Sequence, residues 1–191
     1  MTDVKDVDNQ GHNANKTGKW LEDQVEKTLA KYGIKSVYCR ELYTAAAEDI
    51  INDSKHGLLV KNVPYTNMFG ANAYGEFVLL LKDEAPIRIE CRNQDVNGSA
   101  QDKLPKLLGD CIAMEERSVI VVLEGNGFTE KARNWFTDAA AAQKTKSIDV
   151  RSLLSFKSWA EDKFGAAKTK RVFVVPTTKR TSSGLKTKQH N

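Results

Sequence analysis

Residues 75–94, GEFVLLLKDEAPIRIECRNQ, constrain this chain more than any other stretch. Residues 77–81 and 87–91 are apolar and rich in β-formers, and Lys82-Asp83-Glu84-Ala85-Pro86 between them has turn chemistry. The pattern predicts a β-hairpin with Glu76 at the start of one strand and Glu90, Arg92 and Gln94 towards the end of the other. Carboxylates seldom stand in strands this apolar, because burying a charge costs free energy unless a cation or donor offsets it. Two of them converging on one sheet face point to a hard divalent cation held by oxygen ligands. Glu76 and Glu90 would be direct ligands, with the Cys91 backbone carbonyl a further one, and Arg92 projects to the same face as Glu90. For Glu76 to join that face, the pairing has to set it across from Arg92 or Gln94, which implies an odd-length turn or a bulge.

Around this hairpin the chain alternates helix and strand signals. Trp20, Leu21, Val25, Leu29 and Tyr32 recur at helical spacing over 19–32, and Gly33 ends the pattern. Glu22 on that helix is open to two readings, an ordinary surface charge or a further carboxylate at the site. A short strand is expected at 37–39, a helix at 45–52, a strand at 58–60 and an Asn/Gly-rich loop over 63–75. In that loop Tyr65 and Phe69 either line a cleft or pack. After the hairpin, Gly98-Ser99 caps a helix over 100–116, where Pro105 predicts a kink or a late start. The continuous run SVIVVL at 118–123 suits a strand covered on both faces. A Gly-rich turn, a helix at 129–143, a strand at 147–150, a helix at 153–164 and a weak edge strand at 172–175 complete the order. The expected fold is α/β, a mixed central sheet flanked by helices.

The whole chain, 191 residues with a formal charge of +4, fits one domain and permits a polyanionic partner without demanding one. Residues 1–16 read as a disordered arm, 17–164 as the globular domain and 165–191 as a basic tail without any acid. Lys168, Lys170, Arg171, Lys179 and Arg180 in the tail are either a solvated appendage or added phosphate contacts. Three cysteines without C-x-x-C spacing argue against a disulfide scaffold or a zinc site, and fit a reducing compartment. No apolar run of membrane length and no signal-peptide pattern is visible, so a cytoplasmic protein is expected. The three histidines lack metal-ligand spacing, and Glu124-Gly125-Asn126-Gly127 lacks the Lys-Ser/Thr of a phosphate-binding loop.

The arrangement Glu22 … Glu76-x13-Glu90-x-Arg92 resembles the PD-(D/E)xK nuclease superfamily, the restriction-endonuclease-like fold. One branch is similar in more detail: an E-C-K-x-Q strand, a Gly-Ser turn and a helix bearing Lys, as Glu90, Gln94, Gly98-Ser99 and Lys103 stand here. The resemblance spans roughly 19–164. It implies an Mg²⁺-dependent endonuclease acting on DNA, with Mn²⁺ as a substitute ion. Glu76 and Glu90 would be the metal ligands, Glu22 the first-helix acid, Arg92 the occupant of the catalytic Lys position and Gln94 the polar residue after it. Ser99 and the tail cations would contact nucleic acid. Two residues depart from the family pattern: Glu76 replaces the usual Asp, and Arg92 replaces Lys with a bulkier fork that stays protonated. Lys103 either supplies the missing ammonium or faces solvent. The rival reading is a catalytically inactive nucleic-acid-binding module on the same fold, and a third is a scaffold for partner proteins. A homodimer is expected by analogy, with a partner subunit left open.

Overall fold

The computed structural model describes residues 18–42, 44, 49–52, 54, 56–82, 84–95 and 99–165. Its centre is one six-stranded sheet in which spatial order equals chain order: β1 (Lys35–Tyr38), β2 (Gly57–Thr66), β3 (Asn72–Leu81), β4 (Ile87–Asn93), β5 (Ser118–Glu124) and β6 (Ser147–Arg151). β1 pairs parallel with β2, the β2–β3 and β3–β4 pairs are antiparallel, and β4, β5 and β6 run parallel. Parallel neighbours need crossovers, and helices supply them. α3 (Lys103–Ala113) joins β4 to β5, and α4 (Glu130–Ala141) joins β5 to β6. The helix α1, described over 18–30, precedes the sheet, α2 (49–52) lies between β1 and β2, and α5 (Leu153–Phe164) follows β6.

Two helical layers explain the apolar patterns. Leu21, Val25 and Leu29 of α1 and Phe156, Ala160 and Phe164 of α5 pack on Phe77, Leu79, Ile89, Ile120 and Val122. On the opposite face, Leu104, Leu107 and Cys111 of α3 and Phe136 and Ala140 of α4 cover Val119, Val121 and Leu123. β5 is therefore buried on both sides from Val119 to Leu123, which accounts for its unbroken apolar run.

The structure corrects the expected 63–75 loop. β2 continues to Thr66 and β3 starts at Asn72, so the Asn/Gly-rich stretch is a second hairpin with its tip at 67–71. β1 covers only Leu58–Lys61 of β2, leaving Val63–Thr66 as an edge. Pro64 is tolerated there because an edge position need not donate its N–H. Exposure on this arm removes the apolar alternation that would have marked it. α3 takes the late start, after a 3₁₀ turn at Ser99–Asp102, so that Pro105 falls in its first turn, where a backbone N–H has no intrahelical partner. The expected strand at 172–175 lies outside the described residues, as do 45–48 of the expected first-half helix and the terminal segments 1–16 and 166–191.

One ion pair with a buried arginine ties strands of the sheet together. Arg88 of β4, 1% exposed, donates through Nε and Nη2 to the Glu116 carboxylate at 3.0 Å each. Its Nη1 donates to the Val63 carbonyl at 3.4 Å, and the guanidinium lies 5.7 Å from the Tyr65 ring centroid. β4, the entry to β5 and the second hairpin are thus held by one side chain. Arg88→Ala is expected to lower stability by about 3–5 kcal/mol, since it strands the Glu116 charge. Urea denaturation of the variant beside wild type measures the loss, and a change under about 1 kcal/mol would show that the pair holds nothing together.

Candidate active site

Phe77–Leu79 pair with Ile87–Ile89, and beyond that point the β3–β4 ladder stops. The next step would set Glu76 level with Glu90. This corrects the expected alignment with Arg92 or Gln94, while the connection between the paired Leu79 and Ile87, residues 80–86, has the expected odd length and no residue is inserted. Instead the strands part, and the Glu76 carboxylate accepts the Cys91 N–H at 3.3 Å, where a backbone carbonyl would otherwise do so. On the other side of β3 the ladder also skips the Asn62–Glu76 step, and Asn62 takes a left-handed φ of 56°. Gly75 makes the approach possible. A Cβ there would overlap Glu90 Oε1 and Arg88 Nη1.

Arg92 gathers the cluster. Its Nη1 donates to Glu76 Oε1 at 2.5 Å and to the Cys91 carbonyl at 2.6 Å, and its Nη2 to Glu90 Oε2 at 3.3 Å. Glu90 is fully buried, and its Oε1 has no hydrogen-bond donor. Burial first, and then the neighbouring Glu76, push the Glu90 carboxyl well above the usual carboxylate range. Burial pushes Glu76 the same way, but the hydrogen bond with Glu90 and the Arg92 charge outweigh it and hold Glu76 below that range. The two carboxyls titrate as a pair, and Glu90, the deeper of them, is the harder to ionise. Burial opposes the charge on Arg92, yet the two glutamates raise its pKa further, so it is a permanent cation. The Cys91 thiol is pushed well up by burial and then by Glu76, which leaves it protonated.

Glu22 reaches this cluster from α1. Its carboxyl is raised by burial and then by Glu76. Glu22, Glu76, Cys91, Arg92, Gln94, Lys103 and Phe128 line one cleft of about 260 Å³, with Glu90 beneath Arg92. Gln94 is fixed through its backbone, its N–H donating to the Glu124 carbonyl at 3.0 Å and its carbonyl accepting from Gly127 at 2.6 Å. Lys103 stands exposed on the cleft wall. Glu22 and Glu76 also line a second hollow on their other side, with Tyr38, Lys61 and Tyr74. Ser99 opens the 3₁₀ turn before α3, but its side chain lies outside the described residues, as do Lys168, Lys170, Arg171, Lys179 and Arg180. Gly75 and Arg88 beside Glu90, and Phe128 on the cleft wall, are the residues the sequence reading passed over. A lone glycine directly before a strand acid was a signal for Gly75, since such a position marks close backbone approach. Nothing local marked Phe128.

The donors suit a hard cation. Glu76, Glu90 and the Cys91 carbonyl offer oxygen only, and Glu90 Oε1 is an enclosed acceptor without a donor. Among the described residues no group of three or more His, Cys, Asp or Glu is arranged to hold a metal, so such an ion would rest on two carboxylates, a carbonyl and water. Arg92 Nη1 presently meets two of those oxygens.

A model of the PD-(D/E)XK nuclease superfamily domain matches residues 13–164. The chain belongs to this superfamily. Its members are generally nucleases and typically use divalent metals. Comparison with curated proteins and with solved structures found no match. Among the described residues of this PD-(D/E)XK domain, no helix is long and apolar enough to cross a membrane.

Two outcomes follow from the cluster. Because the native state holds the Glu90 proton more tightly than the unfolded chain, native stability falls as pH rises from the ordinary carboxylate value towards the raised one. Glu90→Gln cannot ionise, so the decline above the ordinary carboxylate range should flatten in metal-free melting curves. A variant slope equal to that of wild type would mean Glu90 ionises freely in the fold. Separately, Gly75→Ala should cost about 1–3 kcal/mol by forcing Glu90 and Arg88 apart, measurable by denaturant titration, whereas an unaffected variant would mean the strands can spread at no cost.

Proposed function

We propose that this PD-(D/E)XK domain is an endonuclease that hydrolyses DNA phosphodiester bonds with Mg²⁺, for which Mn²⁺ would substitute. The observation carrying the reading is the convergence of Glu76, Glu90 and the Cys91 carbonyl around the Arg92 cation on the floor of an open cleft. Glu76, Glu90 and the Cys91 carbonyl would hold the ion, which when bound supplies water activation and neutralisation of developing negative charge.

The protein's own groups take the remaining roles. Arg92 is a fixed positive charge that braces the scissile phosphate and, staying protonated, takes no part as a base. Glu22 adds a third carboxylate beside Glu76 from the first helix. Gln94, held at its backbone, presents an amide to orient water or phosphate. Lys103 on the cleft wall offers the ammonium that Arg92 does not. Ser99 and the cations Lys168, Lys170, Arg171, Lys179 and Arg180 would extend the phosphate contacts. A homodimer would bring two such clefts to the two strands, and the unpaired cysteines suit the reducing cytoplasm.

A second reading rests on the same guanidinium. Arg92 engages Glu76 and the Cys91 carbonyl, the oxygens an ion would need, which favours a domain that binds nucleic acid without cutting it. Nicking of supercoiled plasmid in Mg²⁺ or Mn²⁺ separates the two. Cleavage by wild type should fall at least about 100-fold in Glu90→Ala and in Arg92→Ala, while Arg92→Lys retains or increases it because an ammonium approaches the attacking water more closely. Absence of metal-dependent cleavage on supercoiled, linear, branched and single-stranded DNA, together with salt-sensitive binding, would replace the nuclease reading with the second one.

A further inference from the structure

The tip of the β2–β3 hairpin is built to hold one aromatic ring in solvent. Asn67 Oδ1 accepts the N–H groups of Phe69 and Ala71 at 3.0 Å each. The Asn67 N–H donates to the Ala71 carbonyl and the Gly70 N–H to the Asn67 carbonyl, both at 2.9 Å, with Gly70 at a left-handed φ of 79°. The turn is also fastened to α3. The Met68 N–H donates to the buried Asp110 at 3.1 Å, and the Met68 thioether fills the space a Gly109 side chain would need. After all this fixing, Phe69 remains 71% exposed, and Tyr74 on the same hairpin 66%. A mobile exposed aromatic is unremarkable, but a pinned one has given up conformational freedom with no burial to offset it in this chain.

The surroundings indicate what would cover it. The Lys106 ammonium sits 6.0 Å from the Phe69 ring centroid and pairs with Asp110 at 2.5 Å, which leaves further N–H donors free to point outwards. Lys103, three residues earlier on α3, shares that helix face and lines the cleft with Glu76 and Arg92. The two lysines are separated by about 4.5 Å along the helix axis, and their long side chains let both ammonium groups reach phosphates of one strand. Carboxylate cleft, Lys103, Lys106 and Phe69 therefore follow one another in that order.

We propose that the hairpin tip is a nucleic-acid contact in which Phe69 stacks on a base of the strand leaving the cleft while Lys106 and Lys103 meet its phosphates. An aromatic face flanked by ammonium groups is the combination that grips a strand without reading its sequence. The assignment rests on the nuclease reading only for the path of the strand. The test is binding without cleavage, in EDTA and in Ca²⁺, using single-stranded and duplex DNA with 2-aminopurine placed at successive positions. Wild type should quench the fluorophore at one register, and Phe69→Ala should abolish the quench and weaken affinity about 10-fold. Phe69→Tyr should keep both, and Phe69→Leu, apolar but without a ring face, should behave as Phe69→Ala. All three variants should melt with wild type, since the ring is exposed. Quenching of the single strand alone would assign stacking on an unpaired base, and quenching of the duplex would assign insertion between base pairs. Equal affinity and quench in Phe69→Ala, or no DNA binding by wild type, would overturn the proposal. Binding that depends on Phe69 without plasmid nicking would sink only the nuclease reading, and nicking with Phe69 indifferent would sink only this one.

Discussion

Two carboxylates brought together in a half-buried pocket repel, and the pairing of Arg92 with Glu76 and Glu90 is what lets the centre of this domain hold together. Much of the irregular backbone nearby can be read from that cluster. Glu76 lies where the β3–β4 ladder ends and accepts the Cys91 N–H in place of a carbonyl. Asn62, level with Glu76 on the neighbouring strand, turns left-handed, and Gly75 carries no side chain because Glu90 and Arg88 fill that space. Of the two acids Glu90 is the deeper, and burial makes its ionisation the more costly.

The cleft is set by elements on opposite faces of the sheet. α1 brings Glu22 from one layer, α3 brings Lys103 from the other, and the β4 edge between them carries Arg92 and Gln94. Arg88 lies on the same face of that strand, two residues before Glu90, and fastens the second hairpin to β4 through Val63. One short strand thus carries both the charge cluster and the bracket that supports the projecting hairpin.

Most of the architecture was legible because the elements that build it bury one face or two. The helix at 153–164 and the strands at 118–123 and 147–150 lie where their apolar spacing put them. The second hairpin was not, because its outer arm is exposed and its strands carry Asn, Pro and Gly, the residues that mark loops. At the site, the nearness of Glu76 to Glu90 was readable from strand spacing, but its geometry was not. Strand alternation assumes an intact ladder, and this ladder ends one residue before Glu76. Arg88 was hidden for a related reason. A cation inside an apolar strand has meaning only with its partner, and Glu116 is 28 residues away along the chain.

The sheet is laid down in the order in which the chain runs, each strand beside its predecessor. Neighbouring strands therefore close loops of modest length, and none has to wait for a distant segment to be inserted between two already paired. Low sequence separation of contacts favours rapid folding, and strand addition in one direction suits a chain emerging from the ribosome N-terminus first. Glu76, Glu90 and Arg92 meet within a single hairpin, so the charge cluster can form before β5 and β6 exist. The α1 layer is the exception: much of its covering is shared with α5, which arrives last. Until then the early sheet exposes Leu59, Phe77, Leu79 and Ile89 beyond what α1 alone covers, and this is the interval in which a nascent chain of this design is most open to misassociation.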